Sequence, residues 1–360
     1  MIFAGLPDAF ESEGFDREHM RMPECQNELI RQVAAVQPNV VVVLHNGSPV
    51  EMPWIDSVKG VVEAYLGGQA VGGAEYDILF GKVNPSAKLP ETFPVQLEDN
   101  PSYLNFPGEG NTVEYKEGIF VGYRYYDKKK MGVLFLFGHG LSYTEYTYSN
   151  LKLSAGCMKD TDSLTVSVDV TNSGKMAGKE IVQLYVGDKE SSVIRPVKEL
   201  KDFAKVQLEP GETKTVTFVL SKRAFAYYNV QIKDWHVESG TFEIMIGKSS
   251  RDIVLTQTVT VESTVRLPMV YTTDSIMEDI FKNPEAKAMV MEAMADSVNF
   301  APEEGEEGSS EAEAISVEMQ EAMMRYMPLR GAVGFGSVAT GITMADVEAL
   351  VEKLNALERA

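Results

Sequence analysis

Cysteine and histidine are scarce in this sequence. It holds two cysteines, Cys25 and Cys157, which lie far apart along the chain, and only four histidines. Two cysteines are too few for a disulfide framework or a cysteine zinc site. No two histidines stand at the spacing of metal ligands. We therefore expect a function that needs no metal and no cofactor.

Long apolar runs and excess positive charge are also missing. No run approaches the roughly 18–20 apolar residues that a membrane-spanning helix needs. The 33 Lys and Arg against 53 Asp and Glu give a net charge of −20, which repels nucleic acids and anionic membranes, so we expect neither as a partner. The first residues lack the basic start and apolar stretch of a secretory leader. This favours a cytoplasmic location, although an apparent truncation leaves the location open.

Strand and helix patterns alternate over residues 1–95 of the 360-residue chain. Such alternation predicts a parallel α/β sheet. The first predicted strand begins at the first residues, with no linker before it, so we expect that sequence upstream of this sheet is missing. The predicted strands are Ile2–Gly5, Val40–Leu44, Val61–Tyr65 and Lys88–Phe93, and the predicted helices are Asn27–Val36 and Gly72–Phe80.

Two different patterns follow this α/β part. Residues 96–147 are rich in Asn, Pro, Gly and aromatic residues, and they predict an ordered bridging segment. Residues 148–262 alternate apolar and polar residues between Gly and Pro turns, as Leu164–Val170 shows. Short strands at this spacing predict a β-sandwich.

The last part, residues 263–360, holds ten of the 18 methionines and predicts a helical tail. An acidic linker of Glu, Gly and Ser occupies residues 303–310 and separates the predicted helices. Thr343 and Asp346 have the spacing of a capping box ahead of the last helix. The predicted fold class is thus multidomain, with a partial parallel α/β sandwich, an all-β sandwich and a short helical tail.

One acidic loop directly follows the first predicted strand. Active sites of parallel sheets lie at the carboxyl ends of the strands, and here Glu11 and Glu13 flank Ser12, followed by Gly14 at a sharp turn. From charge alone, the loop is either a solvated surface or a catalytic site. Glu13 is accordingly either a catalytic carboxyl group or an ion-pair partner of Arg17.

This loop lies within GLPDAFESEGFDREHMRMP, followed in order by NELIRQVAAVQPNVVVVLHNGSPVEMPW, YLGGQAVGGAEYDILFGKVNPSAKLPETFP, YKEGIFVGYRYYD and FLFGHGLSYTEY. Together these segments resemble glycoside hydrolase family 3, the β-glucosidase-like enzymes. The segments VTNSGKMAGKEIVQLYV, RPVKELKDFAKVQLEPGE and GTFEIMIGKSS resemble the fibronectin type III-like domain that ends many of these enzymes. The resemblance covers about residues 1–262.

The resemblance implies a (β/α)8 barrel, then a six-stranded α/β sandwich, then the fibronectin-like domain. It also implies a nucleophilic aspartate on the barrel, in a Ser-Asp-Trp-type motif. The similar Lys233-Asp234-Trp235 lies in a strand-forming stretch of the β-sandwich, so Asp234 is predicted to be structural. The barrel and the first part of the α/β sandwich are therefore expected to be absent, with about four sandwich strands left.

The resemblance further implies a glutamate on a loop of the second domain as the acid/base of catalysis. Its Glu-Gly-aromatic element matches Glu13-Gly14-Phe15. Glu13 is therefore the catalytic candidate, and Glu11 is the alternative because the loop varies among family members.

Several nearby residues are predicted to be structural instead. Trp54 is expected to be packed, and Glu117 is expected to pair with Arg124. The residues after the second strand are expected to shape its loop, with a role at the active face as the alternative; they are His45, Asn46 and Ser48.

These implications predict the C-terminal portion of a retaining, exo-acting β-glycosidase, specifically a β-glucosidase, which supplies only the acid/base side and is inactive alone. The expected partners are a β-glucoside or oligosaccharide substrate and a barrel domain or barrel-bearing chain, with self-association through the exposed sheet. The alternative is a non-catalytic partner or accessory module. A reading frame for the barrel directly upstream would separate an interrupted gene from a dedicated module.

Overall fold

The computed structural model describes residues 1–267, 269–293, 322, 325–331, 333 and 342–357. The chain divides into two compact units, Met1–Val265 and Arg266–Ala360. The acidic linker predicted at residues 303–310 lies outside the described residues. Within the described ranges, no helix combines the length and the apolar character that crossing a membrane requires.

The first unit begins with a small parallel sheet, as the sequence predicts. The strand order is β1-β2-β3, with Ile2 opposite Val42 and Val41 opposite Gly60. The strands are β1 (Ile2–Gly5), β2 (Val41–His45) and β3 (Gly60–Glu63), the helices are α1 (Glu24–Val36) and α2 (Val71–Leu79), and a short 3-10 turn covers Ile55–Ser57.

The core of this part lies around the central strand. Val42, Val43 and Leu44 are fully buried, because a parallel strand with parallel neighbours is covered on both faces. Ile30 of α1 is fully buried as well. Trp54 is 3% exposed and its Nε1 donates to Oδ1 of Asn27 at 3.0 Å, which confirms that it is packed.

The fourth predicted strand, Lys88–Phe93, does not form. Leu89 and Phe93 each exchange backbone hydrogen bonds with the segment 134–139, and Phe93 forms a single bridge with Phe135. Pro90 lies between the two pairings, and its missing N–H interrupts a regular ladder. Within the described ranges the sheet therefore has three strands, and not four.

The bridging segment is ordered by contacts with the β-sandwich. It contains a 3-10 turn, Leu97–Asp99, and helix α3 (Tyr123–Lys129). Asp127 of α3 accepts hydrogen bonds from Lys198 at 2.8 Å and from Arg251 at 2.6 Å. A buried carboxylate with two cationic partners fixes the segment, since leaving that carboxylate unpaired would cost about 3–5 kcal/mol.

The predicted pairing of Glu117 with Arg124 is wrong. Arg124 lies instead 3.7 Å from the carboxylate of Glu199 on the β-sandwich. Helix α3 carries Arg124 toward the sandwich, whereas Glu117 precedes that helix and has a buried Oε2 with no hydrogen-bond partner among the described residues.

Ten strands build the β-sandwich. They are β4 (Tyr146–Leu153), β5 (Cys157–Lys159), β6 (Leu164–Asn172), β7 (Gly178–Asp188), β8 (Glu199–Leu208), β9 (Thr213–Leu220), β10 (Tyr227–Asn229), β11 (Asp234–His236), β12 (Gly240–Gly247) and β13 (Ile253–Glu262). A short helix, α4 (Lys222–Phe225), precedes β10.

The sandwich strands form a five-stranded sheet in the order β5-β13-β12-β7-β8, a three-stranded sheet in the order β4-β6-β9, and the pair β10-β11. The alternation in the sequence sets the inward faces. Leu164, Val166, Val168 and Val170 of β6 are all fully buried, because alternate side chains point to the same side of a strand. Asp234 lies exposed in β11, and its carboxylate accepts from the backbone N–H of Trp235 at 2.7 Å.

The segment 82–94 joins the parallel sheet to the sandwich. The Asn84 side chain accepts from the Ser142 hydroxyl at 2.9 Å and donates to the carbonyl of Ala177 at 3.1 Å. The Lys88 ammonium group lies 3.4 Å from the Glu180 carboxylate, and both side chains are almost completely buried. We call these contacts the Asn84–Lys88 clamp.

The second unit has its own small core. Its helices with described bounds include α5 (Met277–Phe281), α6 (Pro284–Ala293) and α7 (Met344–Leu357). Ile280, Val290 and Leu354 pack together and are fully buried. The predicted capping box is confirmed, because Thr343 donates to the Asp346 carboxylate at 2.6 Å and accepts from the Asp346 N–H at 3.3 Å.

Strand β1 lies at the edge of its sheet, and we predict that the chain self-associates there. Phe3 of β1 is 57% exposed, and it lines a shallow apolar groove with Leu29 and Val33. Unpaired strand edges with exposed apolar residues invite pairing with a second copy. Phe3→Lys should lower the mean molar mass in light scattering at a fixed concentration. Leu66→Lys, which changes an exposed side chain elsewhere, is the control, and a monodisperse wild-type monomer would contradict the prediction.

Candidate functional site

The acidic loop follows β1 at the carboxyl edge of the parallel sheet. The isolated bridge between Ser12 and Phe15 places Glu13 and Gly14 at the tip of a tight turn. The Glu13 side chain is exposed, and among the described residues it makes no hydrogen bond or ion pair. This candidate therefore has a carboxylate that is free to meet a molecule approaching the loop.

Glu11 fixes the base of the same loop. Its Oε2 accepts from the backbone N–H of Gly47 at 2.6 Å, and its Oε1 accepts from the Ser48 hydroxyl at 2.5 Å. A Cβ at position 47 would lie only 3.1 Å from the Glu11 carboxylate, so glycine allows this close approach. Both oxygens of Glu11 are thus engaged in holding two loops together.

Arg17 completes this anchor. Its Nη1 donates to the Ser48 hydroxyl at 2.6 Å and to the Pro49 carbonyl at 3.1 Å, and it lies 3.8 Å from Oε1 of Glu11. The alternative in which Arg17 pairs with Glu13 is therefore wrong. We call Glu11, Arg17 and Ser48 the loop anchor.

Buried polar groups hold the loop after β2 in place. Asn46 is 1% exposed, and its Nδ2 donates to the Ser48 carbonyl at 2.9 Å and to Oε2 of Glu63 at 3.3 Å. The Nε2 of His45 lies 3.0 Å from the carboxylate of Glu75. Asn46 and Ser48 thus hold the loop after β2 in place, and His45 contacts α2.

Sequence reasoning missed two further glutamates at this edge. Glu63 ends β3 and accepts from the backbone N–H of Tyr65 at 3.0 Å, and the Tyr65 hydroxyl donates to Glu91 at 3.2 Å. The pKa of Glu63 is raised to about 7, chiefly by burial; hydrogen bonds from Tyr65 and Asn46 lower it in part, and the charges of Glu91 and Glu11 add to the increase. Burial likewise raises the pKa of Glu91. A charged residue that directly ends an apolar strand was the signal for Glu63.

Several carboxyl groups lie at one edge of the sheet, and their surroundings differ. Glu11 accepts hydrogen bonds at both oxygens, Glu63 and Glu91 are partly desolvated, and Glu13 is exposed. Across the part of the chain that the structure describes, no group of three or more His, Cys, Asp or Glu side chains could hold a metal ion. The carboxyl groups at this edge can donate and accept protons.

We predict that Glu63→Gln stabilises the chain at alkaline pH. The folded-state pKa of Glu63, about 7, exceeds the ordinary value of 4.5. The fold is therefore stabilised while Glu63 is protonated. This stabilisation is fully present below about pH 4.5 and is lost as the pH rises through 7. A shift of this size corresponds to at most about 3 kcal/mol. The variant should exceed the wild type by about 1–3 kcal/mol in the free energy of unfolding at pH 8.

Urea denaturation at pH 5 and pH 8 measures this difference, which should be about fourfold smaller at pH 5. Glu18→Gln is the matched control, because Glu18 is exposed and makes no described hydrogen bond. Equal effects of Glu63→Gln at both pH values would show that Glu63 is not buried in this way.

Comparison with protein families matches two parts of the chain. Residues 1–123 match the glycosyl hydrolase family 3 C-terminal domain, and residues 180–250 match the fibronectin type III-like domain. The first match contains the acidic loop, the loop anchor and the parallel sheet.

Individual relatives agree with this result. The thermostable β-glucosidase B of Acetivibrio thermocellus is 57% identical over 361 residues, which cover 99% of this chain and 46% of the relative. The exo-α-(1→6)-L-arabinopyranosidase of Bifidobacterium breve is 47% identical over 73% of this chain and 34% of the relative. This chain therefore spans less than half the length of these relatives.

Solved structures show the same fold. The crystal structure of the family 3 β-glucosidase of Bifidobacterium adolescentis superimposes with a TM-score of 0.73 at 43% identity, over 80% of this chain and 42% of that one. DesR, a β-glucosidase from Streptomyces venezuelae, gives a TM-score of 0.67 at 38% identity, over 72% and 33%. The chain thus belongs to glycoside hydrolase family 3, of which it carries the C-terminal domain followed by the fibronectin type III-like domain.

Proposed function

We propose that this chain supplies the acid/base side of a retaining β-glucosidase, with Glu13 as the acid/base. The observation that carries the proposal is the contrast between the two glutamates of the loop. Glu11 accepts at both oxygens, from Gly47 and Ser48, whereas Glu13 is exposed at the tip without a described partner. Glu11 is then a positioning residue, because it holds the base of the loop that presents Glu13.

Retaining hydrolysis uses two carboxyl groups about 5–5.5 Å apart. In the first step, an aspartate outside this sequence attacks the anomeric carbon while the Glu13 carboxyl donates its proton to the departing glycosidic oxygen. In the second step, the Glu13 carboxylate removes a proton from water. The water oxygen then bonds to the anomeric carbon, and the aspartate is released.

The exposure of Glu13 supports the proposal that another domain covers the acidic loop in the active enzyme. A general acid holds its proton at neutral pH only when it is partly desolvated, and nothing in the described chain covers Glu13. We propose that a barrel domain, on residues outside this sequence or on a separate chain, covers the loop and provides the nucleophile. This would make the present chain inactive alone.

The substrate class follows from the relatives. Several matched proteins are named β-glucosidases, which supports terminal β-glucosyl residues as the substrate. One relative of comparable identity is named an arabinopyranosidase. We therefore propose that the choice of sugar depends mainly on the barrel.

We predict negligible turnover by the purified 360-residue chain. General acid catalysis alone contributes about 10²–10⁴-fold, and the nucleophile is not in this sequence. A chromogenic aryl β-glucoside measures the rate directly. Turnover on the order of 1–10³ per second, the range of ordinary enzymes, would refute the proposed division of the site.

We predict that Glu13→Gln, in the chain joined to its barrel, affects substrates according to their leaving groups. Alkyl β-glucosides, which need protonation, should lose about 10²–10⁴-fold in kcat/KM. Dinitrophenyl β-glucoside should lose far less in its first step, because its leaving group is stable as an anion. Steady-state kinetics on the two substrates measure the difference.

Two variants complete this test. Glu18→Gln changes an exposed glutamate near the same loop and should leave both substrates unaffected. Glu11→Gln should reduce both substrates to a similar extent, because it loosens the loop. Equal losses for both substrates in Glu13→Gln would assign Glu13 a structural role, and a leaving-group dependence in Glu11→Gln would transfer the catalytic role to Glu11.

A further inference from the structure

Glu63 is a partly buried carboxyl group to which the proposed reaction assigns no role. It ends β3, and its two oxygens accept from different donors. Oε1 accepts from the backbone N–H of Tyr65 at 3.0 Å, and Oε2 accepts from Nδ2 of Asn46 at 3.3 Å. Tyr65 lies two residues further along the chain, whereas Asn46 belongs to the loop after β2. The side chain of Glu63 therefore connects β3 to that loop.

Asn46 connects Glu63 to the turn of residues 46–48. Its Nδ2 also donates to the Ser48 carbonyl at 2.9 Å, and its buried Oδ1 has no hydrogen-bond partner among the described residues. The two bonds of Nδ2 therefore orient the Asn46 amide. The same turn presents the Gly47 N–H and the Ser48 hydroxyl to Glu11. Glu63 thus supports, through Asn46, the turn that holds the base of the acidic loop.

The position of Glu63 reduces the stability of the fold above neutral pH. Burial raises its pKa to about 7, and the charges of Glu91 and Glu11 add to the increase, so the ionised carboxylate destabilises the chain at pH 8. That ionised form also makes the stronger hydrogen bond to the Asn46 amide, because charge-assisted bonds exceed neutral ones. Residues that reduce stability in this way are expected where activity requires a particular local geometry.

We propose that Glu63 is a positioning residue, which orients Asn46 and so fixes the turn that holds Glu11. Its effect on catalysis rests on the proposed function, because the loop that Glu11 holds presents Glu13 at its tip. A residue that only stabilises the fold would change global stability and the order of the turn in the same direction. Replacement of the Glu63 carboxylate by an amide should change them in opposite directions.

Hydrogen exchange of the Gly47 amide in the full chain at pH 8 tests the proposal, since this N–H donates to Glu11 and exchanges when the turn opens. Glu63→Met loses both acceptor oxygens, whereas Glu63→Gln loses one acceptor and the charge. The Gly47 amide should exchange about tenfold faster in Glu63→Met and by a smaller factor in Glu63→Gln. In Glu63→Gln this faster exchange should accompany a higher free energy of unfolding.

Three further variants separate this connection from general destabilisation. Val61→Ala weakens core packing in the same strand, so it should lower the free energy of unfolding and leave Gly47 exchange unchanged. Asn46→Leu removes the connection from its other end and should also speed the exchange. The double variant Glu63→Met/Asn46→Leu should exchange no faster than Asn46→Leu alone. An unchanged rate in Glu63→Met, or summed effects in the double variant, would overturn the proposal.

Kinetics of the chain joined to its barrel test the catalytic consequence. Glu63→Gln should lower kcat for alkyl and dinitrophenyl β-glucosides to a similar extent, with little change in KM, because the loop is loosened. Faster Gly47 exchange with an unchanged kcat would refute the role of Glu63 in catalysis. Glu13→Gln should leave Gly47 exchange at the wild-type rate, since Glu13 makes no described hydrogen bond to the turn. The exchange result therefore holds even if the acid/base role of Glu13 fails, and the two failures are distinguishable.

Discussion

The site of this chain depends on one carboxylate that is fully engaged by donors. Glu11 connects the loop after β1 to the loop after β2, because it accepts from Gly47 and Ser48 and lies beside Arg17. Hydrogen bonds to an ionised carboxylate are roughly twice as strong as neutral ones. These bonds fix the position of one irregular loop relative to the other, which the backbones of the loops alone would not do. That relation fixes the base of the loop whose tip presents Glu13.

Negative charge accumulates around this point, and the fold accommodates it by different means. Gly47 and Ser48 donate hydrogen bonds to Glu11, whereas burial raises the pKa of Glu63 and of Glu91. Like charges at one edge would repel each other if all were ionised. The raised pKa values of Glu63 and Glu91 therefore lessen the repulsion at this edge of the sheet.

The sequence predicted those parts of the fold that depend on local periodicity. The apolar run of β2, the alternation of β6 and the capping box of Thr343 and Asp346 are all local patterns, and the structure contains them. The prediction of a strand at Lys88–Phe93 was wrong. Its residues have strand character, but Pro90 prevents a continuous ladder. The ion-pair partner of Arg17 could not be predicted either. Whether Arg17 contacts Glu11 or Glu13 depends on the loop after β2, which is distant in the sequence. Burial of Glu63 has the same origin, since a neighbouring segment and not its own strand covers it.

The Asn84–Lys88 clamp has a consequence for how this protein can vary. Asn84 and Lys88 place an amide and an ammonium group in a nearly dry boundary, where their partners are Ala177, Ser142 and Glu180 of the β-sandwich and the turn before it. Removal of the sandwich would take the Ala177 carbonyl from Asn84 and the Glu180 carboxylate from Lys88, and that cost would fall on the segment next to the parallel sheet. The fibronectin-like domain is therefore a part of the scaffold that its neighbour cannot lose without compensating substitutions. Shuffling of this domain between proteins should be restricted to recipients that conserve the amide and the cation at these two positions.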